Sequence, residues 1–335
     1  MINIHKYKKN SLLVSGILFV VSLIALIVFG LKPGIDFTGG SLLEVSFREA
    51  RPEVVEIQSA LKEVNLDSLL VQPIGDNGYI LKMNFIDEET HQRVLTLLRE
   101  KFTPVGNGEN DPKGELSTTV TSGGELVLPV VSMVSDEAPF VQEEKFEKIG
   151  STVSKDLRSQ ATKASVVAIL AIIFFIAYSF RKISKPVPSW QYGLAATIAL
   201  LHDVVITMGV FAVLGKFWGV EVDVTFVVAI LTVFGYSVND TIVVFDRVRE
   251  SLIRRGRENF AEIVNQGVND TLARSINTSM TSLLVLLALF FFGGASIHYF
   301  ALALIVGIAL GAYSSIFVAS PLLIVFHDLI QKRSK

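Results

Sequence analysis

The sequence predicts a polytopic α-helical membrane protein with six transmembrane helices and a folded α+β domain outside the membrane, between helices 1 and 2. Two observations predict this class. Half of the 335 residues are hydrophobic and only 19% are charged, with a mean hydropathy of +0.52, whereas soluble chains are about one quarter charged. The charges also lie in blocks separated by apolar runs of about 20 residues, which is the length needed to cross ~30 Å of hydrocarbon.

The first apolar run, 11–31, follows a basic N-terminal segment, 1–10. It is long for a signal peptide and lacks a small-residue cleavage site, so we expect an uncleaved anchor. The other predicted spans are 164–180, 192–214, 222–245, 275–292 and 299–326, and the last is long enough to tilt.

Lys and Arg residues predict the orientation. They flank the spans on one side in segments 1–10 and 181–185, in the loop 246–274 and in the tail 327–335, whereas the short loops on the other side contain only Lys216. Short cytoplasmic loops are rich in positive charge, so both termini are predicted to be cytoplasmic. We expect the loop 246–274 to contain an amphipathic helix, interrupted by Gly256 and Gly267, that lies on the membrane surface.

The block 32–163 is then the extracytoplasmic domain. It has 22 acidic and 14 basic side chains, and this acidity argues against nucleic-acid binding. The pattern predicts strand 41–47, helix 52–64, strand 68–73, strand 79–85 and helix 88–102. This βαββα order is one strand short of a ferredoxin-like plait.

The rest of that domain is less regular. The stretch 103–136 is rich in Gly, Pro, Asn and Ser. Within it, 117–121 and 125–131 alternate like strands, and we expect one of them to complete the sheet. Residues 143–163 are predicted to form a helix that leads into the second span.

Three charged residues lie inside predicted spans or at their ends: Asp203 in the third, Asp240 in the fourth and Arg274 at the start of the fifth. A charge near the bilayer centre costs from about 3 to more than 10 kcal/mol, so each needs an explanation. Asp240 and Arg274 are expected at similar depth. They are interpreted either as a proton relay that rearranges the helices or as a structural ion pair. Asp203, beside His202, is the weaker relay candidate.

Polar side chains accompany these charges at helical spacing and predict two polar faces that meet. On the fourth span these are Thr225, Thr232, Tyr236 and Asp240; on the fifth they are Arg274, Thr278 and Thr281, with Asn277 and Ser282 beside them. Asn239, next to the Asp240 carboxylate, is assigned to the proton relay itself.

A stripe of small residues recurs at every fourth position of the sixth span: Ala303, Gly307, Gly311, Ser315 and Ala319. Small residues allow close helix approach, so a packing role is preferred to a pore-lining one.

Several chemistries lack their motifs. The sequence has no cysteine, its five histidines show no metal-binding spacing, and it has neither a GxxxxGK[ST] loop nor a GxGxxG after a strand. We therefore expect no cofactor, metal site or enzymatic activity, and any work must draw on an ion gradient or a partner.

Four motifs together resemble the SecD/SecF family of protein-export membrane subunits, on the SecF side. They are Gly34-Ile35-Asp36-Phe37-Thr38-Gly39-Gly40, Leu201-His202-Asp203-Val204, the stretch from Gly235 to Glu250, and Arg274-Ser275-Ile276-Asn277-Thr278-Ser279. The resemblance implies half of an RND-type transporter in the inner membrane, six helices paired with six of SecD.

The resemblance also implies that the protein assists the SecYEG channel and draws on the proton motive force to do so. Its other partners would be YajC and, indirectly, SecA, and its cargo would be exported polypeptides. The family links the positions of Asp240 and Arg274 to proton passage. Asp36, Gly39 and Gly40 would join the moving outer domain to the bundle, as hinges or as plain connectors. The stretch 105–136 is longer than the resemblance leads us to expect.

Two alternatives stay open. One is half of an RND-type exporter of small apolar molecules or lipids, which predicts a large apolar cleft in the outer domain. The other is a scaffold of the translocon in which the intramembrane charges serve packing alone.

Overall fold

The computed structural model describes residues 4–48, 51–66, 68–103, 140–179, 188–255 and 259–333. The chain divides into two compact units: a helical unit of Met1–Thr38 and Thr152–Lys335, and a sheet unit of Gly39–Ser151. The predicted strands 117–121 and 125–131, the basic segment 181–185 and Gly256 lie outside the described residues.

Within the described residues, the helical unit contains six helices that are long and apolar enough to cross a membrane, which confirms the predicted number. They are α1 (Ile4–Phe29), α5 (Ser151–Ser179), α6 (Ser189–Trp218), α7 (Val224–Arg255), α8 (Phe260–Phe292) and a sixth that comprises α9 (Ala295–Ser314), a π-helical turn (Ser315–Ala319) and α10 (Ser320–Arg333); a short helix, α2 (Ile35–Thr38), follows α1.

The sixth span and helices α6 and α7 form the centre of the helical unit. About half of the apolar length of each is buried, whereas α1, α5 and α8 bury about a tenth or less. An apolar helix can leave its surface exposed only in lipid or against another protein, because water would impose the hydrophobic cost. The peripheral helices therefore suit a bilayer.

The π turn has a local cause in the sequence. Pro321 has no N–H to donate to the carbonyl four residues earlier, and its ring crowds that carbonyl. The helix widens just before the proline, over Ser315–Ala319, and the Ser320 hydroxyl donates a 2.8 Å bond to the Ser315 carbonyl. The sixth span is thus interrupted by a π-bulge, a common source of kinks and of functional irregularity in helices.

The described residues of the loop predicted as a membrane-surface helix belong almost entirely to the ends of two long helices, α7 and α8. Its apolar residues Phe260, Ile263 and Val264 are buried inside the protein rather than presented to lipid. The predicted break at Gly267 is wrong, since α8 runs through it. A Cβ at Gly267 would lie 2.8 Å from the Val248 side chain, so this glycine lets α8 pack closely on α7.

The sheet unit has two layers. Its strands are β1 (Gly40–Phe47), β2 (Leu70–Ile74), β3 (Gly78–Met83) and β4 (Val141–Ile149), and its helices are α3 (Val54–Ala60), continued by a 3-10 turn (Leu61–Val64), and α4 (Glu88–Phe102). Among the described strands the sheet order is β2-β3-β1-β4, and every pairing is antiparallel.

The alternation of β1 explains why the helices cover one face of the sheet. Leu43, Val45 and Phe47 are buried in one core with Leu81 of β3 and Leu95 of α4. The intervening residues of β1 are half exposed, as expected when alternate side chains point to opposite faces.

One predicted helix is wrong over part of its length: 141–149 is strand β4, and helix α5 starts at Ser151. Its run of Glu and Lys favours a helix by local propensity. Pairing with β1, with Leu43 opposite Phe146, overrides that preference. Charged side chains are typical of a strand at a sheet edge, where they discourage pairing with other chains.

Candidate functional site: two carboxylates inside the helical unit

Asp203 is completely buried and joins three helices. Its Oδ2 accepts hydrogen bonds from Ser237 Oγ of α7 at 2.6 Å and from Ser314 Oγ of α9 at 2.7 Å, and its Oδ1 lies 3.0 Å from His202 Nδ1. Charge-assisted bonds of this length are among the stronger ones in proteins. The carboxylate therefore ties the central helices α6, α7 and α9 together.

Asp240, one turn further along α7 than Ser237, is less fully bonded. Its Oδ1 accepts a 2.6 Å bond from Ser275 Oγ of α8, and Ser315 of the π turn lies beside it. Its Oδ2 is buried and has no hydrogen-bond partner among the described residues. A buried carboxyl oxygen without a partner is costly, so this atom is available to a proton, a water molecule or a group from another protein.

The sixth span carries the small-residue stripe against α7. A Cβ at Gly307 would overlap Val233 Cγ2, and one at Gly311 would lie 3.1 Å from Ser237 Cα. Ser315 Oγ donates to the Gly311 carbonyl at 2.8 Å and lies 3.1 Å from Thr241 Oγ1. The close approach brings the π turn next to the segment of α7 that carries Asp240.

Arg274 does not pair with Asp240 in this chain. It is exposed on α8 and forms no ion pair with the described residues, whereas its neighbour Ser275 is buried and binds the carboxylate. Successive residues of an α-helix differ by about 100° in direction, so only one of the two can face α7. The expected Asp240–Arg274 pair is thus replaced, within the described part of the chain, by a serine contact.

Of the other predicted polar residues, some are partly buried in the helical unit and others are exposed on its surface. Tyr236 is half buried, and its hydroxyl donates to Ser279 Oγ at 3.5 Å. An outer polar strip on α7 and α8 is exposed; it consists of Thr232, Asn239, Arg274, Asn277 and Thr278. The two threonine hydroxyls bond to their own helix backbone, at Val228 and Arg274 respectively.

The segment after the first span is bonded to the start of α7. Pro33 forms a parallel bridge with Val222, and Asp36 Oδ2 accepts a 2.8 Å bond from the backbone N–H of Val224. Gly39 and Gly40 follow, with φ of +78° and +134°, a conformation that glycine adopts without steric cost.

Sequence reasoning did not single out Ser237, Ser275 or Ser314 as partners of the two carboxylates. The available signal was their position: Ser237 is one turn before Asp240, and Ser275 and Ser314 are adjacent to residues already noted, Arg274 and Ser315. A serine beside a buried acid on a neighbouring span is a candidate donor, because a buried carboxylate requires hydrogen bonds.

The fold and the buried carboxylates define a multi-pass membrane protein with a small antiparallel α+β unit. The family model of the SecD/SecF C-terminal region, a protein-export membrane protein, matches residues 130–329, and that of the SecD/SecF GG motif matches residues 24–50. The chain belongs to the SecF family of protein translocase subunits.

Individual relatives support the same assignment. The chain is 38% identical to the protein translocase subunit SecF of Thermobaculum terrenum, over 98% of this chain and 95% of the relative. It is 36% identical to that of Synechocystis, over 96% and 93%, and 36% identical to that of Haemophilus influenzae, over 94% and 82%.

A solved structure has a similar fold. The crystal structure of SecDF, described as a translocon-associated membrane protein, from Thermus thermophilus has a TM-score of 0.76 and 26% identity. It covers 98% of this chain, which spans only 39% of that longer protein. Membership of this family supports a role in Sec-dependent translocation and association with SecD.

Proposed function

We propose that this chain is the SecF half of a SecD–SecF complex that uses the proton motive force to assist SecYEG-dependent translocation of exported polypeptides. The observation that carries the proposal is the outer polar strip. Arg274, Asn239 and Asn277 are exposed on helices whose composition suits a bilayer. A lipid-facing arginine costs from about 3 to more than 10 kcal/mol near the bilayer centre, so we infer that a second membrane protein covers the strip.

SecD is the proposed occupant, and the two strip helices would pack against its spans. The SecDF structure is consistent with this, because the present chain corresponds to 39% of it and leaves a larger remainder for a SecD-like part. The chain is proposed to lie in the inner membrane with both termini cytoplasmic, on the basis of its Lys and Arg distribution. YajC and SecA are proposed as further partners by resemblance to the family.

The proposed proton acceptor is Asp240. Its Oδ2 lacks a partner, and Ser275, its hydrogen-bond donor, belongs to the same helix as Arg274. A rotation of α8 by about 100° about its axis would exchange Ser275 for Arg274 opposite the carboxylate, because the two are adjacent on the helix. Proton uptake would then shift the equilibrium between two helix arrangements. One charge that moves through 100 mV supplies about 2.3 kcal/mol for this shift.

The sheet unit is proposed to be the extracytoplasmic, ferredoxin-like domain. The support is its chain order, βαββαβ, with four antiparallel strands in the order β2-β3-β1-β4 and helices α3 and α4 in one core with the sheet. The domain would transmit the helix rearrangement to the exported chain.

The test replaces the carboxylate without changing its shape. Asp240→Asn retains an amide that can bond Ser275 but cannot ionise, so the complex should assemble and export of a secreted reporter should fall to the level of a strain without the subunit. The matched control is Asp246→Asn, an exposed carboxylate on the same helix whose ion pair with Arg249 is at 3.4 Å. It should leave export unchanged.

Co-purification of a second six-span protein with each tagged variant reports assembly. If the Asp240→Asn protein assembles and still supports normal export, the proton mechanism is wrong and a scaffold role replaces it. If no membrane partner is retained by the unmodified protein, the pairing proposal is wrong.

A further inference from the structure

The segment between the first span and the sheet unit makes a series of contacts with the N-terminus of α7. Val222 N–H donates to the Lys32 carbonyl and Gly34 N–H donates to the Val222 carbonyl, each at 2.8 Å. Lys32 Nζ also lies 3.3 Å from Glu221 Oε1. We call the residues 32–38 the clamp segment.

Asp36 adds the contact that reaches the helix itself. Its Oδ2 accepts the Val224 N–H at 2.8 Å, and Val224 is the first residue of α7. The first N–H groups of a helix have no partner within the helix, and an acidic side chain there is favoured by both hydrogen bonding and the helix dipole. Asp36 therefore caps α7 from a distant part of the chain.

A second carboxylate caps the same helix from its own flank. Asp223 Oδ1 accepts the Phe226 N–H at 2.8 Å and the Thr225 hydroxyl at 2.6 Å. The two caps are similar in chemistry but differ in what they join. Asp223 stabilises the first turn of α7 alone, whereas Asp36 also attaches the clamp segment to it.

The clamp segment is hydrogen-bonded to itself up to its last residue, Thr38. The Gly34 carbonyl accepts bonds from the backbone N–H groups of Phe37 and Thr38 at 3.1 Å and from the Thr38 hydroxyl at 3.0 Å. The chain then passes through Gly39 into Gly40, the first residue of strand β1, and both glycines have positive φ. The hydrogen-bonded clamp segment thus joins the strand through these two glycines.

We propose that Asp36 is a positioning residue that couples α7, the helix that carries Asp240, to the chain entering the sheet unit. A displacement of the N-terminus of α7 is passed through the Asp36 cap and the Pro33–Val222 bridge to the glycine pair at the start of β1. This inference rests on the proposed function, since it assigns the route by which a change at Asp240 reaches the other unit.

The natural absence of cysteine allows a direct test in the full-length chain. Pro33→Cys and Val222→Cys place one thiol on each side of the parallel bridge, and the spacing of about 4.8 Å between neighbouring strands is within the Cα separation that a disulfide spans. The yield of the oxidised pair in membranes measures how firmly the clamp segment is held, and it does not depend on whether the protein assists export.

Asp36→Ala in this double-cysteine background should lower the initial rate of disulfide formation by about 3- to 30-fold, the population change expected when an N-cap is lost. Asp223→Ala, the matched control, should leave the rate within about twofold, because it removes a cap of similar strength without detaching the clamp segment. Equal rates in the two variants would overturn the clamp geometry.

Export of the secreted reporter then tests the coupling. Without the cysteines, Asp36→Ala should reduce export more than Asp223→Ala at matched protein levels, and the oxidised 33–222 disulfide should restore export to the Asp36→Ala variant until a reductant is added. Rescue excludes a role limited to capping, since the disulfide supplies no acceptor for the Val224 N–H.

Two results for Asp36→Ala would overturn the proposal. One is slower disulfide formation with unchanged export, and the other is reduced export that the disulfide does not restore. Neither depends on the Asp240→Asn outcome. If Asp240→Asn leaves export intact while the disulfide rate still falls in Asp36→Ala, the proposed function fails and the clamp geometry stands. If Asp240→Asn blocks export and the disulfide rate is unchanged, the clamp alone fails.

Discussion

Asp203 and Asp240 are two buried carboxylates in the same helical unit, yet their surroundings differ. Asp203 is fully buried and has contacts with His202, Ser237 and Ser314, on three helices in all. Asp240 is 9% exposed, accepts one bond from Ser275 and keeps a buried oxygen without a partner in the described chain. The comparison teaches that a carboxylate with all its hydrogen bonds holds helices together, whereas an incompletely bonded one is free to change its protonation state.

The largest expected effect tests the structural side of this comparison. Asp203→Ala removes the acceptor of two serine hydroxyls and the partner of His202, and leaves these groups buried. Removing one member of a buried charged network costs about 3–5 kcal/mol. We therefore expect a strong loss of resistance to unfolding in detergent, measured by the denaturant midpoint and by the amount of protein in the membrane.

Asp240→Ala is the matched comparison for that measurement. It deprives only the Ser275 hydroxyl of a bonded acceptor, so its midpoint should stay closer to that of the unmodified protein. Equal losses in the two variants, or a larger loss for Asp240→Ala, would contradict the division between a structural and a functional carboxylate.

Much of the fold was predictable from the sequence because it follows from local periodicity. The apolar runs are long enough to count the spans, and the predicted helix 88–102 coincides with α4, since Asp87 at its N-cap accepts the Thr90 N–H at 2.9 Å. Strand β4 was missed because its stabilisation comes from pairing with β1, about 100 residues earlier in the chain. Local propensity carries no information about such a contact.

The site was harder to predict from the sequence than the fold was. The cost of intramembrane charge drew attention to Asp203, Asp240 and Arg274, but not to which of them are bonded. The direction of a side chain on α8 depends on a rotation of about 100° per residue, and the π turn shifts the register of Ser315 relative to α7. The choice of Ser275 over Arg274 as the neighbour of Asp240 is therefore a property of tertiary packing.

An intermediate effect is expected where the sixth span packs on α7, between the two carboxylates. Gly307→Ala would place a methyl group in overlap with Val233 Cγ2, and overpacking of this kind costs about 1–3 kcal/mol. Gly235→Ala on α7 is the control, because a Cβ there meets nothing within 4 Å. The denaturant midpoint should fall only in the first variant.

Val233→Ala in the Gly307→Ala background removes the obstructing atoms and should recover part of the loss. A midpoint as low in Gly235→Ala as in Gly307→Ala would show that α7 does not approach the sixth span as closely as the structure indicates. The comparison of the carboxylates would then lose its geometric basis, because that approach positions both Ser314 and Ser315.

The smallest effect on stability is expected from deleting one hydroxyl at each carboxylate. These two variants also distinguish the roles of Asp203 and Asp240 most directly. Ser237→Ala and Ser275→Ala each remove a 2.6 Å bond to an aspartate, and a single bond of this kind contributes about 1 kcal/mol net, up to about 3 kcal/mol when its partner is charged. The two variants should therefore have similar denaturant midpoints. Their carboxyl groups should differ, because Asp203 keeps Ser314 and His202 whereas Asp240 is left with only the Ser315 hydroxyl beside it. Export of the secreted reporter should accordingly fall in Ser275→Ala and stay near normal in Ser237→Ala. The reverse order would mean that Asp203, with its bonds complete, is the group that takes up and releases the proton. An unpaired carboxyl oxygen, as in Asp240, would then not identify the proton acceptor.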